Sequence, residues 1–476
     1  MVELDRNDIL IIIHTLSNMM RFVGAAMIVP VLVSAFLNEW LYSEVFALLG
    51  LSLFVIFTFT KEFIGKKQVR FKHAIISLAV AWVLIGLVSA IPFLFYGLSP
   101  VDAFFESVSG WSGTGLTMVA FPENLPISLA FWRGFIQWMG GFGIVLMALL
   151  FYEKPETAMN LFIAEGRNEE FYMSVKRISR TILVIYFIYT LVGVALYLLS
   201  GMTLFDSIFH SFTSIATGGF STNSTGVGVY GPYAMAVTIL LMLLGGISFE
   251  NHYDLLRGKV KKFFSNPELQ FFLAVIASAF ILLLVNFYFL HSTSIYDGFF
   301  YIVSAITGTG ATTIVSLNSL PALTIFIIIL LMIFGACYGS TTGALKIWRI
   351  LILFKVIRRE IHKAFLPQKT IVQLKIGDRV ISDDAALKAL SYLALYAFFL
   401  ISGSIIFMLF GFGSIESIFT VASAQGNVGL NLLSGQVWYS MSPFLKLLLS
   451  LHMIVGRMEI LPFLILLKSF GVGSKI

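Results

Sequence analysis

Ten long apolar stretches, separated by short polar segments, constrain this chain more than any other feature. Their cores lie near 10–36, 42–60, 74–97, 128–151, 178–200, 232–250, 269–290, 321–357, 389–412 and 442–467. About 20 apolar residues cross a bilayer as a helix. Only 12% of the 476 residues carry a charge, against about 25% in soluble domains. A water-soluble globule is excluded. Backbone polar groups in lipid must be satisfied within the segment, so the stretches read as helices. They lack the strict alternation of a membrane barrel strand. The first is too long for a signal peptide and has no small-residue cleavage site, so it reads as mature structure. Cys337 is the single cysteine, which excludes a disulfide framework or a multi-cysteine metal site within one chain.

Charge placement sets the topology. Segments 61–72, 153–180, 257–262 and 346–388 hold 5, 5, 4 and 10 Lys/Arg, or 24 of the 31. Segments 98–127, 201–231, 291–320 and 413–442 hold none. The positive-inside rule places the first set in the cytoplasm and the second outside, with ten crossings and both termini inside. The outer segments carry Asp102, Glu106, Glu123, Asp206, Asp297 and Glu416. An outer face with acids and no bases favours arriving cations. The net charge of +6 is therefore a topology signal, and no nucleic-acid partner is expected.

The four outward segments repeat one another. Aligned on Asp102, Asp206, Asp297 and Glu416, each has Phe three residues on (Phe105, Phe209, Phe300, Phe419). Each has a small hydroxyl seven residues on (Ser109, Thr213, Ser304, Ser423) and Gly thirteen on (Gly115, Gly219, Gly310, Gly429). Matches at fixed offsets without gaps mark an internal repeat. Ser99, Thr203 and Ser294 precede three of the acids by three residues, resembling a capping box. Gly413 stands there in the fourth, with Ser414 next. The acids are assigned to capping, where the helix dipole favours them. Each unit thus reads as helix, short re-entrant helix of about ten residues, Gly/Thr-rich segment, helix. Non-helical backbone at membrane depth must be enclosed by protein or line a water-filled cavity. Four such segments can surround one axis, and their carbonyls can replace the hydration shell of a cation. The plainer alternative is four unrelated turns, which leaves the shared register unexplained.

Several motifs carry a family resemblance: Ala-Thr-Gly-Gly-Phe-Ser-Thr at 216–222, Gln-Trp-Met-Gly-Gly-Phe-Gly at 137–143, Gly-Ala-Cys-Tyr-Gly-Ser-Thr-Thr-Gly-Ala-Leu-Lys at 335–346 and Gly-Arg-Met-Glu-Ile at 456–460. With them the chain resembles the Trk/Ktr/HKT superfamily of potassium transporters, nearest its TrkH/TrkG branch, over nearly its whole length. The resemblance implies an all-α polytopic membrane protein. It has two N-terminal helices plus four helix–pore-loop–helix repeats with pseudo-fourfold symmetry around one pore. The corresponding divisions are 1–70, 71–152, 153–265, 266–380 and 381–476. By resemblance the selectivity filter maps to Ser112, Gly113, Thr114 and Gly115; Ala216, Thr217, Gly218 and Gly219; Thr307, Gly308, Thr309 and Gly310; and Gly426, Asn427, Val428 and Gly429. Gly115, where sodium-preferring plant members can carry Ser, favours potassium. Asn427 and Val428 depart from the Thr-rich pattern of the other segments.

The resemblance further implies potassium as the transported ion, with no resident cofactor in this chain. It implies a homodimer in the plasma membrane and a separate cytosolic nucleotide-binding ring subunit, TrkA- or KtrA-like, docking on basic segments such as 153–180 and 346–379. No enzyme motif is present. Proton- or sodium-coupled symport of potassium, and sodium transport, stay open as alternatives within the superfamily. An organic-solute transporter usually shows two repeats rather than four. A voltage sensor needs an Arg-rich helix that is missing here. A structural scaffold has no use for four equal re-entrant loops.

Two features concern permeation. As one helix, 321–357 would span about 55 Å, against a hydrocarbon core of about 30 Å. Its middle holds Gly335, Gly339, Ser340, Thr341, Thr342 and Gly343, which predicts an unwound segment lining a cavity. In the family an intramembrane loop here acts as a gate; a kinked helix packed through small residues is the alternative. Arg457 lies within an apolar run, and an intramembrane Arg marks a functional site by default. The matching family Arg faces the pore, so Arg457 is expected to repel cations and to hold the 335–343 loop through its carbonyls. The alternative is an ion pair with an acid on another helix, such as Glu250. Glu106 reads either as a tuner of the outer mouth or as a satisfied buried acid. His210, His252, His291 and His452 lack ligand spacing and read as polar core residues.

Overall fold

Six of the ten apolar stretches form long helices among the described residues. The computed structural model describes residues 5–65, 69–143, 175–290, 295–367, 370, 372–377, 379–458, 460 and 463–464. Among these, six helices are long and apolar enough to cross a membrane: Arg6–Phe36, Trp40–Ile64, Lys72–Tyr96, Ser179–Leu199, Pro267–Tyr288 and Asp383–Leu409. They carry outward-facing apolar side chains such as Leu48, Phe59, Ile281 and Phe398, as a lipid-facing surface requires. The N-terminal pair crosses at two glycines, where a Cβ on Gly24 would lie 2.8 Å from the Gly50 carbonyl oxygen. Close backbone approach of this kind drives helix packing in lipid.

The ten expected crossings are not ten equal helices. The second helix of each repeat is short: Ile127–Phe142, Pro232–Gly246, Ala322–Phe334 and Pro443–Met458, of 16, 15, 13 and 16 residues. The first three stop at glycine, with Gly143 and Gly335 as caps at φ +98° and +68° and Gly246 as the final residue. The sixth stretch, read as one crossing over 232–250, is broken. Its chain turns by 101° before Phe249–Leu256, capped by the Ser248 hydroxyl, which accepts from the Glu250 amide at 3.3 Å. The eighth stretch is interrupted as expected, with Ala322–Phe334 ending at Gly335 and Ile347–Lys363 beginning after Lys346.

The short re-entrant helices are Pro100–Ser112, Leu204–Ile215, Ile295–Ile306 and Ser414–Gln425. Ser99 and Thr203 cap the first two, each accepting from the acid's amide and donating its hydroxyl to the same carboxylate at 2.7 Å. Gly413 caps the fourth without a side chain. Ile127–Phe142 has no cap of its own. Glu39, from the N-terminal pair, accepts from the Ile127 and Ser128 amides, both at 2.9 Å. That contact fastens the pair to the first repeat.

A feature absent from the all-α expectation is a small antiparallel hairpin in the basic segment 346–388. Leu374–Ile376 pairs with Arg379–Ile381. Gly377 turns at φ +59°, a conformation glycine adopts freely. Leu374 and Ile376 are buried beneath it. The end of the fourth stretch, basic residues 153–174, the Ser294 cap, His291 and Glu459 lie outside the described residues.

Candidate functional site at the ring of four loops

Each short helix ends in the same backbone turn. Eleven residues past the aligned acid, Gly113, Thr217, Gly308 and Asn427 have φ of +69°, +52°, +63° and +52°. Thirteen past it, Gly115, Gly219, Gly310 and Gly429 have φ of +85°, +73°, +70° and +102°. Between them an amide reaches back to the carbonyl of the repeated hydroxyl residue. The pairs are Thr114–Ser109, Gly218–Thr213, Thr309–Ser304 and Val428–Ser423, at 2.9, 2.7, 2.9 and 2.8 Å. Two left-handed residues in a short span are costly for anything but Gly or Asn. The thirteenth position is glycine for a further reason. A Cβ on Gly115 would collide with the Gly218 carbonyl, on Gly219 with that of Thr309, on Gly310 with that of Val428, and on Gly429 with that of Thr114. These contacts run from loop one to two, two to three, three to four and four back to one. All sixteen residues assigned to the filter lie in or beside this closed ring. The negative ends of four helix dipoles converge on it.

The ring is cross-linked. Asn427 donates to the Thr114 hydroxyl at 3.0 Å, joining loops four and one, and to the Met453 carbonyl at 2.8 Å. The departure from the Thr-rich pattern thus supplies a bond between loops. Gln137 donates to the Gly218 carbonyl at 2.6 Å and accepts from the Phe220 amide at 3.2 Å, clipping loop two.

Segment 335–346 lies against one side of the ring. Two carbonyls freed by the break at 245–248 receive it: Gly246 accepts from the Cys337 amide at 3.1 Å and Gly245 from the Thr341 amide at 3.2 Å. The Thr341 hydroxyl lies 2.9 Å from that of Thr217. Gly343 packs on Gly426 and Asn427 of loop four, and the Thr342 side chain approaches Gly308 of loop three. Ser340 and Thr342 share a hydrogen bond at 2.8 Å. Gly339 accepts from the Phe249 amide at 3.3 Å. Gly335 packs on Gly343 and Ala344 at the base of the segment.

Arg457 donates to the Thr341 carbonyl and to the Gly140 carbonyl, and to that of Gly141 at 3.3 Å. It therefore bridges the segment and the second helix of repeat one. Glu250, considered as its partner, lies 3.9 Å from Arg379 instead. Lys346 donates to the Thr342 carbonyl. Arg457, Lys346, Ser340, Thr342 and Gly343 line a cavity of about 50 Å³.

Two bases of the second helices, Arg133 and Lys446, pair with acids of the segments that themselves hold no Lys or Arg. Arg133 pairs with Glu106 at 2.7 Å, with both side chains buried. Lys446 pairs with Asp102 at 2.6 Å. Glu106 is thus a satisfied buried acid. Asp206 accepts from Thr203, Thr222 and Tyr230. Glu123 accepts from the Ser224 amide and hydroxyl at 3.0 and 2.9 Å. Burial pushes its carboxyl up, but hydrogen bonds from its own backbone and from Ser224 outweigh this and hold it below the usual range. The sequence reading missed Arg133 and Lys446, although charges inside apolar stretches were the available signal. Arg21, which lies over the Phe54 ring at 5.4 Å, was missed likewise. His210, His252 and His452 make polar contacts within the core. Among the described residues no group of three His, Cys, Asp or Glu is placed to hold a metal.

Helices around a ring of re-entrant loops define a multi-pass membrane protein of the ion-transporter class. A family model described as TrkH, cation transport protein, matches residues 45–470. The chain belongs to the TrkH family of cation transport proteins. It is 34% identical to an uncharacterized cation transporter of Methanocaldococcus jannaschii, over 98% of this chain and 96% of that one. It is 31% identical to the Trk system potassium uptake protein TrkH of Escherichia coli K12, over 84% of this chain and 86% of that one. The crystal structure of the potassium transporter TrkH from Vibrio parahaemolyticus superposes with a TM-score of 0.83. It covers 96% of this chain and 98% of that chain at 26% identity.

Proposed function

We propose that this chain is a potassium uptake protein of the plasma membrane, with both termini in the cytoplasm. The observation that carries the proposal is the closed sequence of glycine–carbonyl contacts joining loops one, two, three, four and one. It supports a pseudo-fourfold filter in which potassium exchanges water for backbone oxygens. The relatives named above as potassium uptake proteins support the same cargo. Below the filter, segment 335–343 is the gate, and Arg457 both fastens it and opposes cations electrostatically. The ion leaves toward the basic cytoplasmic segments. Potassium is cargo, and the chain carries out no covalent chemistry.

The family resemblance extends the proposal to a homodimer and a cytosolic nucleotide-binding ring subunit docking on the basic segments 153–180 and 346–379. The test is rescue of cells lacking potassium uptake at micromolar potassium. Growth is expected with the intact chain and its partner, and loss of growth with Gly219→Ala. Failure to rescue by protein present in the membrane contradicts the proposal.

A further inference from the structure

The position four residues past the aligned acid carries a different side chain in each repeat: Glu106, His210, Tyr301 and Thr420. All four are buried. Three of them reach the strand that leaves the loop. The Glu106 carboxylate accepts from the Met118 amide at 2.8 Å and from the Thr117 hydroxyl at 3.0 Å. His210 Nε2 lies 3.2 Å from the Ser221 hydroxyl. The Tyr301 hydroxyl accepts from the Thr313 amide at 3.3 Å and donates to the Val315 carbonyl at 2.5 Å. The Thr420 hydroxyl is buried with no hydrogen-bond partner among the described residues.

A second strut reinforces the first of these. Arg133 pairs with Glu106, donates to the Thr117 hydroxyl at 3.1 Å, and lies 4.2 Å over the ring of Phe220. Loops one and two therefore share one buried, charge-assisted support. Charge-assisted bonds are about twice as strong as neutral ones. Loop three is held by a phenol. Loop four has no counterpart at this position.

We propose that Glu106, His210 and Tyr301 are positioning residues that fix the spacing of the ring and so set which cation it prefers. At this position loop four lacks the tether of the other three, and its tip is held instead by the Asn427 bonds to Thr114 and Met453. Their role in cation preference rests on the ring acting as a cation filter. Preference among cations follows the spacing and stiffness of coordinating oxygens. Loosening a tether lets a loop relax around a smaller ion, which changes discrimination more than throughput.

The test compares potassium and sodium flux into liposomes, with hydrogen–deuterium exchange on the same samples. Tyr301→Phe keeps the packing and removes only the hydroxyl. It is expected to lower the potassium-to-sodium flux ratio about fivefold, the effect of about one lost neutral hydrogen bond, with potassium flux little changed. Exchange over 312–316 rises in that variant. Glu106→Gln lowers the ratio further, because it leaves Arg133 without its charge partner. Thr420→Val leaves the ratio unchanged. An unchanged ratio in folded Tyr301→Phe and Glu106→Gln overturns the proposal. So does unchanged exchange over 312–316. Should Glu106→Gln not fold, Tyr301→Phe decides alone. Absence of flux in the unaltered protein sinks the filter itself, whereas the exchange data still report whether Tyr301 holds its strand.

Discussion

Thr217, in the second loop of the ring, and Thr341, in the segment that interrupts the eighth apolar stretch, meet hydroxyl to hydroxyl at 2.9 Å. The ring of loops and the interrupting segment are thus in direct contact, which under the proposed function couples filter to gate. Thr341 also donates to the Gly245 carbonyl at 3.1 Å. Thr341→Val removes these bonds and keeps the shape. Each neutral bond contributes about 1 kcal/mol. The closed segment is expected to loosen, raising resting potassium flux about tenfold, since 1.4 kcal/mol is a factor of ten. Flux measurement on folded variant in liposomes checks this.

Arg457 holds the same segment through the Thr341 carbonyl and ties it to the Gly140 carbonyl of the second helix of repeat one. Arg457→Gln removes the charge and most of the fork. Flux is expected to rise, more than for Thr341→Val, because electrostatic opposition is lost along with the fastening. Unchanged flux in folded protein counts against both roles.

At the ring, Gly219 combines φ +73° with a Cβ position that collides with the Thr309 carbonyl. Gly219→Ala must displace loop three. Potassium flux is expected to fall by at least about tenfold, as a backbone strain of 1–3 kcal/mol allows. Gly115→Ser meets a similar collision, with the Gly218 carbonyl, and is expected to shift preference toward sodium.

The buried Arg133–Glu106 pair makes a stability prediction. Removing one partner leaves an uncompensated buried charge, at a cost of about 3–5 kcal/mol. Arg133→Met is expected to lower the unfolding temperature in detergent markedly. Replacing both residues together, as Glu106→Leu with Arg133→Met, is expected to restore much of the loss. Equal melting of the single and double variants contradicts an energetic coupling.

Glu123 ties the outer segments of repeats one and two through Ser224. Its carboxyl is held below the usual range in the folded protein. A lowered folded value means that the stabilisation is complete above the unfolded value and is lost as pH falls through the folded one. Amide exchange near 224 is expected to rise in that acidic window, and Glu123→Gln removes the pH dependence.

The parts of this architecture that were legible in the sequence are those written locally. The offset of thirteen from acid to glycine reports a turn closed within one segment. Three glycines and three hydroxyl residues in 335–343 report a broken helix. Arg457 was visible because charge is so sparse around it. Contacts between distant segments were not legible. Asp102 and Lys446 are 344 residues apart, and Glu106 and Arg133 are 27 apart on different helices. Folding brings loop four beside loop one, where Asn427 reaches Thr114. The bend after Gly246 was missed because 232–250 was read as one crossing from its apolar length. The role of Gly245 and Gly246 appears only when their carbonyls receive the Thr341 and Cys337 amides.

The central claim, that four loops select potassium by backbone coordination, is tested most directly by flux into liposomes bearing the purified protein, alone and with the proposed cytosolic partner. Potassium, rubidium and sodium are compared side by side. Potassium and rubidium are expected to enter readily and sodium far more slowly, with the difference abolished in Gly115→Ser. Equal entry of sodium and potassium through the unaltered, folded protein, or entry of none of the three, contradicts the claim.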